Sequence, residues 1–400
     1  MPDISRRTSE LGTENAFVVL AEVEGLVKQG REIISFCIGQ PDFVTPDNIR
    51  EAGIRAIREG KTGYTPSAGI PALREAVARD MGRARGLDIA PDDVVVGGGC
   101  KPFIGYTINC VTDYGAGHEV IYPTPGFPIY ESQIKAAGAV PVALPLKESR
   151  AYAFDPADLA KRITPKTRMV ILCSPQNPTG GILGKDVLEE IAAIVAPHDK
   201  IWVYSDEIYS RLVYEGRFES IASLPGMLQR TIIADGASKT WAMTGWRIGY
   251  AANRTLAPHL TRWVTNTESC ASHISQYAVV EAINGPQDAA DKMKATFLKR
   301  RDLIVRLLND VPGVTCLTPG GAFYAWPNVT EACKMTGAAN SEELRRRLLH
   351  VAGIAVLADI HFGTPPAGEG QHLRFSYAAS TEAIEKGIAR MAEFVRKAKK

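Results

Sequence analysis

The fold turns on three consecutive pieces of chain: Arg168-Met169-Val170-Ile171-Leu172-Cys173, the segment 186–195, and Ile201-Trp202-Val203-Tyr204-Ser205. The outer two are short apolar runs rich in β-branched residues, and the piece between them is amphipathic at helical spacing, which is the pattern of a βαβ unit. Val187, Leu188, Ile191, Ile194 and Val195 fall on one helical face and Asp186, Glu189 and Glu190 on the other, so the helix should lie on a sheet. Working outward, residues 94–96, 119–122, 140–144 and 231–234 read as further strands. Most are unbroken apolar runs, as in a parallel sheet covered on both faces. The expectation is a doubly wound α/β domain.

The last third changes character. A long charged helix pattern covers about residues 289–308 and is followed by the turn signal Pro319-Gly320-Gly321. Residues 322–326 and 373–377 read as strands, and 341–350 and 381–395 as helices, so a smaller α+β domain is expected. A chain of 400 residues exceeds one ordinary core, consistent with two or three packed units.

Composition narrows the function classes. Hydrophobic residues make up 45% and charged residues 22%, an ordinary globular balance. Lys and Arg number 46 against 44 Asp and Glu, so the net charge of +2 supplies no field for a polyanion, and no nucleic-acid partner is expected. Cys37, Cys100, Cys110, Cys173, Cys270, Cys316 and Cys333 form an odd set without C-x-x-C spacing, which suggests reduced thiols and no zinc or other metal site. Arg6-Arg7 could pass for an export signal, but Glu22 and Glu24 interrupt the apolar run behind it. A cytoplasmic protein without a membrane span is the expectation. Lys397, Lys399 and Lys400 read as a solvated basic end.

Five motifs carry chemistry. Asp235-Gly236-Ala237-Ser238-Lys239 ends a predicted strand and enters a loop, followed by the stretch from Met243 to Tyr250 that contains Arg247. A loop lysine is ordinarily a solvated surface residue. Strand ends of open α/β sheets are where ligands bind, however, and an Arg eight residues later can present a planar fork to phosphate. Ser174-Pro175-Gln176-Asn177-Pro178-Thr179-Gly180 follows another strand and is, by itself, a turn. Ser205-Asp206-Glu207-Ile208-Tyr209 follows the next, where an acid could simply cap a helix. Gly97-Gly98-Gly99-Cys100-Lys101 lies between a strand and a predicted helix, where backbone N–H groups favour an anion. His372-Leu373-Arg374-Phe375 offers an Arg with the fork that grips a carboxylate.

In their order along the chain, and over nearly the whole of it, these motifs resemble those of the aspartate-aminotransferase-like family, class I/II aminotransferases of fold type I that use pyridoxal 5'-phosphate. The resemblance implies that Lys239 carries the cofactor covalently and that Asp206 faces its ring nitrogen. Asn177 and Tyr209 would bond its phenolic oxygen, and Phe127 would stack on the ring. Arg247, Ser238, Gly99, Cys100 and Lys101 would form the phosphate cup. Gly236 departs from the family, standing where many relatives have a phosphate-binding Ser, and Ser238 could compensate. Tyr64 would reach the phosphate of a neighbouring subunit, which implies a homodimer with shared sites. Arg374 would bind the substrate α-carboxylate, with the backbone of Gly39 and the side chain of Asn177 close by.

In some relatives a Lys at the position of Lys101 contacts the distal carboxylate of the substrate, helped by a Thr on the N-terminal segment. Here counting back from Gly39 reaches Phe17, which has no hydrogen-bonding group. The implied activity is therefore ping-pong transfer of an amino group between an L-amino acid and a 2-oxo acid, of aspartate/glutamate type with relaxed specificity. The implied organisation is an N-terminal segment of residues 1–45 that contributes to the small domain and the site, a large cofactor-binding domain of 46–285, and a small domain of 286–400. Because a fold does not fix a reaction, a lyase on the same scaffold is the alternative. An aminotransferase-like sensor domain of a regulator is a third reading, which the short stretch before Gly39 disfavours.

Overall fold

The computed structural model describes residues 3–398 apart from 6, 9, 10 and 13. Arg6 of the export-signal reading, and Lys399 and Lys400 of the basic end, lie outside the described residues.

The centre is an eight-stranded sheet of β1 (Val94–Gly97), β2 (Glu119–Thr124), β3 (Val140–Lys147), β4 (Ala153–Phe154), β5 (Thr167–Cys173), β6 (Trp202–Asp206), β7 (Thr231–Gly236) and β8 (Gly249–Ala252). Their spatial order is β1-β8-β7-β6-β5-β2-β3-β4. β7, β6, β5, β2 and β3 are mutually parallel, and β8 runs antiparallel between β1 and β7, so β1 shares their direction. Alternate residues of one strand serve different cores: Val170 and Leu172 of β5 join one apolar cluster, Met169 and Ile171 another. This period of two covers the sheet on both faces. The helix Lys185–Val195 buries Leu188, Ile191 and Val195 in the first cluster, on the face its sequence pattern marked.

A second core gathers Phe297, Ile304 and Leu308 of the helix Asp288–Asn309 with Ile384, Ile388 and Met391 of the helix Thr381–Ala398. They pack on a three-stranded antiparallel sheet of Tyr324–Ala325, Leu373–Ser376 and Leu357–Ala358. From the N-terminal segment, Ile34–Ser35 pairs in parallel with Ile354–Ala355, and Ile34 and Phe36 enter this core.

Three local readings are corrected. The strand expected over 322–326 is only Tyr324–Ala325, because Ala322 has φ 58°, outside the extended region. The helix expected over 341–350 is α-helical only for Ser341–Arg347, then continues as a π-helical turn over Leu348–Ala352 that ends at Gly353 with φ 69°. Lys239 sits on a one-turn helix, Ala237–Thr240, where a loop was expected.

Candidate active site

Because β1, β2, β5, β6 and β7 share a direction, their C-terminal ends meet at one edge, where an open α/β sheet leaves room for a ligand. The cavity there has a volume of about 560 Å³. Lining it are Cys100 and Lys101 after β1, Phe127 after β2, Asn177 after β5, Asp206 and Tyr209 at the end of β6, and Ser238 and Lys239 after β7. Arg247 reaches it from the turn before β8, and Arg374 from the small antiparallel sheet. Gly39 and Phe17 complete the lining from the N-terminal segment. Tyr64 is not among the lining residues and is 90% exposed.

Lys239 Nζ donates to the carbonyl oxygen of Gly39 at 2.6 Å. Burial lowers its pKa to about 8, the charge of Glu14 opposes that shift, and Arg374, Arg247 and Lys101 add to it. Gly39 is required here by close approach: a Cβ on it would lie 2.0 Å from the Tyr324 hydroxyl oxygen. The Asp206 carboxylate is buried and accepts from the Tyr130 hydroxyl at 2.7 Å. No cationic side chain among the described residues bonds it, and desolvation raises its pKa to about 6 despite that hydrogen bond.

Arg374 donates to Asn177 Oδ1 at 2.9 Å and to the carbonyl of Cys37, and its guanidinium lies 4.6 Å from the Tyr324 ring centroid. The Asn177 amide has no hydrogen-bond acceptor among the described residues. The Nε of Arg374 is buried without a partner among the described residues. Tyr209 shares a 2.7 Å hydrogen bond with Tyr324, and burial pushes its hydroxyl well above the usual tyrosine range.

Arg247 adopts φ 57°, uncommon for a residue with a side chain, and from there donates to the carbonyl of Gly98 at 2.9 Å. Gly99 has φ 108°, and a Cβ on it would fall 2.2 Å from an Arg247 nitrogen, so the fork can lie across this loop only because residue 99 is glycine. Cys100 stands immediately before the helix Lys101–Val111, and its thiol is held well above its ordinary pKa by burial.

Lys101 donates to Glu14 at 2.5 Å at the rim, with its ammonium 5.4 Å from the Phe127 ring centroid. Phe17 is exposed yet presents apolar surface to the same rim.

Glu14, Tyr130 and Tyr324 were not singled out from the sequence. Tyr130 stands three residues after Phe127, but nothing local pairs it with an acid 76 positions away. Lys239, Arg247, Arg374 and Lys101 against Asp206 and Glu14 leave an excess of cations. That balance suits a ligand carrying a phosphate or carboxylate.

Known proteins resemble this chain over nearly its whole length. A family model for aminotransferases of class I and II matches residues 31–391. The chain is 37% identical over 395 residues to an aspartate aminotransferase of Geobacillus stearothermophilus, covering 98% of each. It is also 37% identical over 401 residues to an asparagine–oxo-acid transaminase of Streptococcus mutans, covering 99% of this chain and 100% of that one. The fold matches the crystal structure of the aspartate aminotransferase of Rhizobium meliloti with a TM-score of 0.93, 32% identity and 99% of each chain covered.

Proposed function

The chain belongs to the aminotransferase class I and II family and is a transaminase, and we propose that it works with pyridoxal 5'-phosphate held on Lys239. The observation that carries the reading is Asp206, a buried carboxylate lining the cavity with no cationic hydrogen-bond partner of its own among the described residues. Such a charge is costly unless a cation meets it, and the protonated ring nitrogen of this cofactor is one. The rest of the lining fits the same group. Asn177 has a free amide and Tyr209 a hydroxyl for the phenolic oxygen. Arg247, Ser238 and Cys100 suit the phosphate, with Gly99 outside the lining in the loop that Arg247 crosses, and Phe127 suits the ring face. When bound, the cofactor supplies a carbonyl carbon to take the amino group and a conjugated system to hold the electron pair left at Cα.

The chain's own residues then have distinct work. Arg374 grips the α-carboxylate and so fixes which Cα bond faces Lys239. Lys239 Nζ, released when the incoming amino group takes its place, desolvated and near neutrality in pKa, would take the proton from Cα and give it back on the other side of the exchange. Asp206 keeps the ring nitrogen protonated throughout. Lys101 and Phe17 meet the substrate side chain, a cation beside an apolar surface. We therefore favour a dicarboxylic amino acid, aspartate or glutamate, as principal donor, with uncharged donors also accepted; a relative named for aspartate supports the first, and one named for asparagine, whose side chain is uncharged, the second.

Tyr64, exposed here, is assigned to the phosphate of a neighbouring subunit in a homodimer; sedimentation of a fully active monomer would overturn that assignment. A cytoplasmic site of action is the companion proposal, supported by seven unpaired cysteines. No helix among the described residues is long and apolar enough to cross a membrane.

The deciding experiment screens aspartate, glutamate, alanine and phenylalanine against 2-oxoglutarate, oxaloacetate and pyruvate, following interconversion of the two cofactor forms by absorbance. Conversion by amino acid alone, reversed by a 2-oxo acid, is expected. Release of pyruvate from a β-substituted amino acid without that conversion would make the protein a lyase.

A further inference from the structure

The rim of the cavity holds a charge pair that the chain makes from itself. Glu14 precedes the helix Asn15–Lys28, yet its side chain caps none of the helix N–H groups. It turns into the cavity and accepts from Lys101 Nζ at 2.5 Å. The pair is partly wet, with the Lys101 side chain 43% exposed and that of Glu14 25%. Ion pairs this exposed contribute little, because water and salt compete for both partners. Glu14 is tied to its helix through its backbone carbonyl, which accepts from the Phe17 N–H at 3.0 Å, so its side chain can leave Lys101 without unwinding the helix. The Phe127 ring lies 5.4 Å from the Lys101 ammonium, and Phe17 adds apolar surface to the same cavity lining.

We propose that Glu14 is a built-in stand-in for the distal carboxylate of a substrate. With an uncharged side chain in the site, Glu14 stays on Lys101 and the ammonium keeps its partner while the aromatic surfaces meet the substrate. With a dicarboxylate, the substrate's own carboxylate replaces that of Glu14, which swings to solvent. Lys101 is paired in both cases, which is the physical basis for one site serving charged and uncharged donors. The proposal rests on the reading above, in which Lys101 faces the substrate side chain. It adds Glu14 as a specificity-determining residue that weakens, without abolishing, selection for dicarboxylates.

The test titrates the holoenzyme at equilibrium with succinate, a dicarboxylate without an amino group, and with propionate, its one-carboxylate counterpart. Wild type, Glu14→Gln, Lys101→Met and the double variant are compared. Removing the internal competitor should tighten succinate about two- to five-fold relative to propionate, the scale of an exposed ion pair. In the Lys101→Met background the same change should do nothing. An unchanged succinate-to-propionate ratio in Glu14→Gln, an equal change for both ligands, or a gain that survives loss of Lys101 would each overturn the role of Glu14. A wild-type holoenzyme that transaminates no donor fails the function itself, and this proposal with it. Normal transamination with an unchanged ratio sinks the Glu14 assignment alone.

Discussion

The floor of the cavity and its rim solve opposite problems. At the floor, Asp206 is buried and Lys239 part-buried, their pKa values are displaced toward neutrality by desolvation, and a strand end and a one-turn helix hold them in place. At the rim, Glu14 and Lys101 are partly exposed and already paired. A group that moves a proton or balances a ring charge gains from a dry, fixed setting, where each interaction is strong. A group that must accommodate different side chains gains from a wet one, where partners exchange cheaply. In the proposed function, chemistry belongs to the floor and selection to the rim.

The largest effect that could break this division is at Lys239. Lys239→Ala should lower transamination by about 10³-fold or more, since the amine that moves the proton is gone. Borohydride should no longer fix the cofactor to the protein, and recovery of trapped cofactor on another lysine would contradict the assignment. Next is Asp206→Ala, which should lower kcat by about 10²-fold while cofactor affinity falls far less, because the phosphate contacts remain. Near-normal turnover would remove Asp206 from the floor.

The same residue sharpens the comparison through stability. Burial raises Asp206 from 3.8 to about 6, so in the cofactor-free chain its cost is absent below 3.8, grows as pH rises and is complete above about 6. Asp206→Asn should therefore stabilise the cofactor-free protein by ~3 kcal/mol at pH 7 to 8, a gain that vanishes as pH falls below about 4. Thermal unfolding across that range measures it, and a gain independent of pH would refute the cause. The smallest effect is at the rim. Lys101→Ala should reduce kcat/KM for aspartate about ten-fold and leave alanine and phenylalanine nearly unchanged, the scale of one hydrogen bond to a charged group. Equal losses for all three would move Lys101 from selection to cofactor binding.

Periodicity and motif order made the fold class and most of the floor legible. The apolar runs marked six strands of the large sheet, and the stretches after them contained Asn177, Asp206, Tyr209 and Lys239. β8 escaped notice because Gly249-Tyr250-Ala251-Ala252 is rich in small residues with weak strand preference, and its place is set by β1 and β7 on either side. The π-helical end of Ser341–Ala352 was equally invisible, since the apolar pattern there suits either winding.

The sequence by itself determined which stretches form six strands of the large sheet and which motifs follow them, because alternation, helical spacing and turn composition are properties of neighbours along the chain. Only the tertiary structure decided who meets whom: Tyr130 with Asp206, Tyr209 with Tyr324, Arg374 with Asn177, and Glu14 with Lys101. These partners lie 76 to 197 positions apart, and such contacts arise from how strands are ordered and cores pack. No local pattern encodes that ordering, so the sequence could name the chemical groups of the floor but not the rim pair that lies over them.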